Sequence, residues 1–274
     1  MNMDYSILLP VYIKDKPEYL VLSIESMLNQ TVKSNDFIIV KDGPVTERLD
    51  AVIDKYASNS NNHINVVALE QNSGLGAALD YGLGFCKNEL VARMDADDIS
   101  LPTRCERLLE LFNNDPELSI AGTNIDEFYD DPNVIISSRV VPTTDEGIKK
   151  YMHKRQPFNH PTIMFKKSEV LRVGSYPHIK HMEDKDLFFR MMNMGCKGAN
   201  IGESLLLFRS NADNFKRRRG KAYRKATIEV AKKAYKNGYV TYGDYLYMYW
   251  GQQLMRILPN WLLIRLLRKK HKKK

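Results

Sequence analysis

At 274 residues, with 43% hydrophobic and 27% charged side chains, the chain is long enough for a full α/β core and excludes wholesale disorder. Its charge is polarised: residues 1–215 carry 23 Lys and Arg against 31 Asp and Glu, and residues 216–274 carry 18 against 2. An acidic body with a strongly basic tail argues against a uniformly basic nucleic-acid binder and leaves anionic lipid or a pyrophosphate as partners of the tail. Cys86, Cys105 and Cys196 have no metal-ligand or disulfide spacing, so reduced thiols in a cytoplasmic protein are expected. Met1-Asn2-Met3-Asp4 does not open a signal peptide, and no run of about 18 apolar residues predicts a spanning helix.

In chain order, Ser6–Val11, Phe37–Val40, Ile64–Leu69 and Glu89–Met94 predict strands, with helices over Lys16–Asn29, Val45–Ala57 and Ser73–Cys86 between them. This alternation predicts βαβ units, a mostly parallel Rossmann-like sheet and a ligand crevice beyond the carboxyl ends of the strands. A mixed region occupies 101–213. It is read as a helix at Leu101–Asn113, strands near Ser119–Thr123, Val134–Val140 and Thr162–Phe165, a helix at Met182–Met194 and a strand near Ser204–Phe208. Residues 214–274 read as a basic helical extension, with Pro259 starting a last helix.

Each of the first four strands ends in polar residues. Asp95, Asp97 and Asp98 come directly after the fourth, and three carboxylates within four residues repel one another unless a cation such as Mg²⁺ or Mn²⁺ joins them. Asp42 ends the second strand, where it can accept from a ribose or form an Asp-Gly turn. Asn72-Ser73-Gly74-Leu75-Gly76 is a strand-to-helix turn that suits phosphate, although a Ser73 N-cap explains it equally well. His160 precedes a strand, as an acceptor-side residue or a turn residue. Glu183, Asp184 and Asp186 open a helix and have the profile of a general base or of dipole-stabilising acids, with Asp186 and Arg190 spaced as an i,i+4 pair. Arg209 and Arg217-Arg218-Arg219 are candidates for a diphosphate.

Taken in order, Leu9-Pro10-Val11-Tyr12, Lys41-Asp42-Gly43-Pro44, Asn72 to Gly76, Arg93-Met94-Asp95-Ala96-Asp97-Asp98, Asn159-His160-Pro161-Thr162, Glu183-Asp184-x-Asp186-Leu187 and Arg209 resemble glycosyltransferase family 2, of the GT-A fold. The likeness is strongest to the bacterial subgroup that builds exopolysaccharide and capsule repeat units, the amylovoran-type transferases. The resemblance implies a metal-dependent, inverting transfer from a nucleotide diphosphate sugar, a UDP-sugar by family habit, to a glycan or polyprenyl-diphosphate-linked acceptor. Residues 1–100 would form the donor half, 101–213 the acceptor half and 214–274 the extension. By the same resemblance Pro10, Tyr12, Asp42, Asn72, Gly76, Arg93, Asp95 and Asp97 bind donor. Asp97 with Asp95 holds Mn²⁺ or Mg²⁺, and Asp184 is the base with Glu183 beside it. His160, Arg190, Arg209 and Arg218 face acceptor or diphosphate. Lys41 stands where many members carry Asp, and Arg209-Ser210-Asn211 lacks a common His, which removes one expected metal ligand.

Two other readings fit less well. A sugar-1-phosphate nucleotidyltransferase needs a glycine- and lysine-rich loop after the first strand, and residues 10–20 offer Lys14 and Lys16 without a glycine. A nucleic-acid-binding module is opposed by the acidic body, whereas an amphipathic tail from Pro259, with Trp261 and Leu263 set against Arg265, Arg268, Lys269 and Lys272, predicts a peripheral protein at the inner face of the cell membrane.

Overall fold

The computed structural model describes residues 3–210 and 220–257. Its first part has the predicted alternation: β1 (Tyr5–Val11), α1 (Pro17–Leu28), β2 (Asp36–Lys41), α2 (Glu47–Ala57), β3 (Ile64–Ala68), α3 (Leu75–Leu83) and β4 (Leu90–Arg93). β5 (Ile99–Ser100), α4 (Arg104–Asn114), β6 (Leu118–Phe128), β7 (Ser137–Arg139), α5 (Asp145–Met152), β8 (Met164–Lys166), α6 (Lys167–Arg172), α7 (Glu183–Asn193) and β9 (Lys197–Arg209) complete the body. α8 (Lys221–Lys236) and α9 (Tyr242–Ile257) lie against it.

The strands form one sheet, ordered β3-β2-β1-β4-β8-β6-β9-β5 with β7 beside β6. Six strands point the same way, and β5, β7 and β8 run against them. β1 is buried along its whole length, as expected where helices cover both faces of a parallel sheet. Ile7 and Leu9 pack towards α1, α2 and α4 in one core, and Leu8 packs towards α3 and α7 in the other. The second core also takes in Val230, Ala231 and Ala234 of α8 and Met248 of α9. No helix among the described residues is long and apolar enough to cross a membrane.

Several predicted boundaries move. The helix expected from Leu101 begins at Arg104, because Ile99 and Ser100 first pair with Leu207 and Leu206 of β9. The strand expected at Ser204 begins at Lys197, since the long β6 supplies partners back to Leu118 across register shifts. The strand expected from Val134 is confined to Ser137–Arg139, and Val134, Ile135 and Ile136 are exposed. On α9, Met248 is buried and Tyr247 and Trp250 are exposed. The helix predicted from Pro259 and the arginines 217–219 lie outside the described residues.

Candidate active site

β1 and β4 pair only from Tyr5 opposite Leu90 to Leu8 opposite Arg93, and then diverge. The strand order reverses at this pair, so a crevice opens beyond their carboxyl ends. Pro10 lies on β1 past the last partner from β4, where its missing N–H leaves no ladder bond unmade.

Asp42 sits at the end of β2, buried, with its carboxylate filled by the glycine-rich turn. It accepts from the backbone N–H of Ser73 at 2.7 Å and of Gly74 at 3.0 Å, and from Asn72 Nδ2 at 3.0 Å. Gly74, at φ 91°, holds the N-cap position of α3, so Asp42 satisfies donors of that turn from another strand and Ser73 does not cap. Gly76 lies in the first turn of α3. A Cβ there would lie 2.2 Å from the Pro177 carbonyl and 3.1 Å from Glu183 Cβ, so the missing side chain lets the glycine-rich turn meet the segment that leads into α7.

Arg93, fully buried, donates from both terminal nitrogens to Asp95, at 2.6 Å to Oδ2 and in a short contact to Oδ1. Ligand oxygens of Asp95, Asp97 and Asp98 all lie within 4.8 Å of one another. Burial and then the charge of Asp95 push the Asp97 carboxyl up to about 6. Burial and the charges of Asp97 and Asp95 hold Asp98 well above the carboxylate range. Asp98 Oδ1 accepts from the Arg209 backbone N–H at 2.8 Å, while its buried Oδ2 has no partner among the described residues. Crowded carboxylates that resist ionisation, with an oxygen left over, fit a hard divalent cation such as Mg²⁺ or Mn²⁺. The Arg209 guanidinium donates to the Asp97 carbonyl at 3.0 Å and lies 3.8 Å from the ring centre of Tyr19.

Sequence reasoning missed a fourth acid here. Asp15, in the β1–α1 loop, accepts from the Tyr12 backbone N–H at 2.9 Å. Burial raises its carboxyl to about 8, the Tyr12 N–H opposes the rise, and Asp97 and Asp95 add to it. Its signal was available, since it is a lone acid just past a strand's carboxyl end.

The second group lies at the start of α7, after Met182 at φ 70°. Asp184 Oδ2 accepts from Gln156 Nε2 at 2.6 Å, and its Oδ1 accepts from the Lys185 backbone N–H at 2.7 Å. Burial raises the Asp184 carboxyl, and these two donors with the charges of Arg93 and Lys185 pull it back. Burial, then the charge of Asp184, pushes Glu183 up to about 8. Of the two neighbouring acids, Glu183 is thus the one held protonated near neutral pH, and Asp184 is the one whose ionised form is favoured by two donors. Asp186 is occupied by Arg190 Nε and Lys233 Nζ, both at 2.7 Å.

The two groups meet electrostatically. The charges of Arg93 and Asp95 act on Glu183, and those of Arg93, Asp184, Glu183 and Asp95 act on the buried Tyr176 hydroxyl. His160 Nε2 lies 3.1 Å from that hydroxyl, and burial with the Arg93 charge holds the imidazole well below its ordinary pKa, hence neutral. Arg190 donates to Asp186 and to the carbonyls of Val173 and Ser175, which fixes the loop before α7 and turns the guanidinium towards the protein. Tyr12 is 40% exposed at the crevice mouth. Arg218 lies outside the described residues.

The model of glycosyl transferase family 2 matches residues 6–177. The chain is 36% identical over 256 residues to the Escherichia coli UDP-Gal:alpha-D-GlcNAc-diphosphoundecaprenol beta-1,3-galactosyltransferase, covering 93% of this chain and 92% of that one. It is also 36% identical over 226 residues to the amylovoran biosynthesis glycosyltransferase AmsE of Erwinia amylovora, covering 82% and 84%. In fold it is similar to the Pyrobaculum calidifontis mannosyltransferase PcManGT in complex with GDP-Man and Mn²⁺, with TM-score 0.67, 13% identity and coverage of 91% and 69%. S. aureus TarS gives TM-score 0.64 at 15% identity, with 85% of this chain spanning 40% of that one. With the ordered motifs, the mostly parallel sheet and its crevice, these likenesses show that the chain is a glycosyltransferase of GT-A fold belonging to glycosyl transferase family 2.

Proposed function

We propose that the protein transfers a sugar from a UDP-sugar to a polyprenyl-diphosphate-linked glycan, with inversion, in the synthesis of a bacterial surface polysaccharide. The observation that carries this reading is the pairing, across Arg93 and Tyr176, of a carboxylate cluster suited to a divalent cation with an acid pair in which one member keeps its proton. Both named relatives, one acting on a diphosphoundecaprenol-linked acceptor and one in amylovoran synthesis, support the substrate class.

In this reading residues 1–100 take the donor and 101–213 the acceptor. Tyr12 and Pro10 border the base. Asp42 and Asn72 fix the turn that Gly74 and Gly76 bring to the ribose and phosphates. Arg93 orients Asp95 towards the sugar or ribose. Asp97, with Asp95, would hold Mn²⁺ or Mg²⁺, and Asp98 Oδ2 is available to the same cluster. When bound, the cation neutralises the leaving diphosphate, so no protein acid is required on that side. Asp184, oriented by Gln156, accepts the proton of the acceptor hydroxyl as that oxygen attacks the anomeric carbon from the face opposite the diphosphate. One displacement gives one inversion. The basic extension, ending in residues 259–274, holds the enzyme at an anionic membrane surface on the cytoplasmic side.

The test is transfer from a panel of UDP- and GDP-sugars to a sugar-diphospho-lipid, with the product anomer read by NMR. Asp184→Asn is expected to lower kcat by roughly 10²–10⁴, the usual worth of a positioned base, with little change in donor affinity. A variant that loses donor binding and keeps kcat would place the base elsewhere.

A further inference from the structure

A groove of about 380 Å³ lies between the 177–181 segment, the first turn of α7 and one face of α8. Its walls differ in kind. Ile179, Ala226 and Val230 give it an apolar lining, while Lys180, Lys225 and Lys233 supply cations. Ala222, Ala226, Val230 and Lys233 recur at three- and four-residue spacing, so a single stripe of α8 faces the groove, and its two alanines keep the groove open.

The charges do not cancel. Lys225 has Glu229 at 3.8 Å, and Asp186 is shared between Lys233 and Arg190. Among the side chains that line the groove Lys180, Lys225 and Lys233 stand against Asp186 and Glu229, so one positive charge remains in excess around an apolar trough, which suits an anionic head joined to a hydrocarbon chain. The groove reaches towards the candidate base at its Pro177 end, where the Cβ position of Gly76 lies 2.2 Å from the Pro177 carbonyl and 3.1 Å from Cβ of Glu183, the residue before Asp184.

We infer that this groove binds the acceptor's lipid diphosphate, with phosphate oxygens on Lys180, Lys225 and Lys233 and the first isoprenoid units along Ile179, Ala226 and Val230. The inference rests on the lipid-linked acceptor of the proposed function and assigns it a place. An acceptor anchored there presents its sugar towards α7, so groove binding sets acceptor affinity and leaves the chemistry to Asp184.

The test uses the full chain and two acceptors of the same sugar, one linked to farnesyl diphosphate and one a water-soluble alkyl glycoside. Ala226→Trp fills the trough from a half-buried position on α8, and Lys225→Glu reverses an exposed charge with little risk to folding. Each is expected to raise KM for the diphospho-lipid acceptor about tenfold or more while changing KM for the alkyl glycoside less than about twofold. Farnesyl diphosphate alone should compete with the lipid acceptor far better than inorganic pyrophosphate does. Equal losses on both acceptors, no loss on either, or equal competition by pyrophosphate overturns the groove. A wild-type enzyme that accepts no diphospho-lipid at all overturns the proposed function instead, so the two failures are distinguishable.

Discussion

Gln156 is the side chain whose removal should most cleanly report the identity of the base. Its Nε2 donates to Asp184 Oδ2 at 2.6 Å, and its own buried Oε1 has no partner among the described residues. The donor favours the ionised form of Asp184 over the neutral one. Gln156→Leu therefore removes a hydrogen bond to a charged group, worth about 1.5–3 kcal/mol. At about 1.4 kcal/mol per pK unit, the Asp184 carboxyl should rise by roughly 1–2 units. The Lys185 backbone N–H, at 2.7 Å, remains to hold the carboxylate in place. Because the base works deprotonated, the rising limb of kcat/KM against pH should move up by the same roughly 1–2 units. Below that limb the variant should lose about 10- to 100-fold, and above it the rate should recover. The assay is kcat/KM for acceptor across the pH range at saturating donor and Mg²⁺, with donor affinity measured alongside. A loss that is uniform in pH, or a limb that stays in place, would refute the assignment of Gln156 as the positioning residue of the base.

Asp97→Ala, like excess chelator, should lower turnover by roughly 10²-fold or more, the several kcal/mol that a metal supplies to a developing anion; Mn²⁺ titration by calorimetry checks that binding is lost with activity. Glu183→Gln should stabilise the fold in a pH-dependent way. The folded-state pKa of about 8 lies above the unfolded value, so the Glu183 contribution to wild-type stability is fully present below the unfolded pKa and is lost as pH rises through the window up to about 8. The variant escapes a cost on the order of 2–4 kcal/mol at pH 7, and urea midpoints with chelator present should separate between pH 5 and pH 8, whereas a constant gap would contradict the burial argument. Truncation after Leu258 should release the protein from anionic liposomes and leave donor binding intact, and equal liposome binding by both forms would reject the anchor.

The first hundred residues were legible because their pattern is local. Strand-helix alternation fixes β1 to β4, and a parallel sheet then brings Tyr12, Asp42, Asn72 and Asp95 to one edge with no long-range information. The features that were not legible depend on contacts between distant segments. Nothing near Gln156 marks it, because its role exists only once the loop after α5 reaches α7. Tyr176 likewise gains significance only between Arg93 and Glu183. Arg190 illustrates the opposite error: its spacing from Asp186 correctly signals a pair, and that pair, with two loop carbonyls, is what occupies the guanidinium. The end of a strand marks Asp42 as an acceptor, and its partners in the fold lie 30 to 32 residues away on the glycine-rich turn.

The basic extension divides into parts with different tasks, and that division decides where it can be cut. α8 and α9 are built into the body near the candidate base. Lys233 of α8 holds Asp186 at 2.7 Å, and Met248 of α9 lies 3.3 Å from the buried Lys185 ammonium. Asp244 meets His153 at 3.1 Å, three residues before Gln156. Burial with little polar compensation pushes Lys185 down to about 8, and the charge of Asp184 opposes that fall. Removing α9 would open this pocket to water, strip Met248 from Lys185 and loosen both neighbours of Asp184. A truncation inside α8 or α9 should therefore impair the chemistry as well as any membrane attachment, and its phenotype could not separate the two. A cut after Leu258 leaves both helices whole and removes Trp261 with the arginines and lysines of residues 265–274. The charge asymmetry of the sequence is thus not a single signal: Lys233 neutralises Asp186 of the body, and only the residues beyond α9 can be tested as an anchor without disturbing the surroundings of the candidate base.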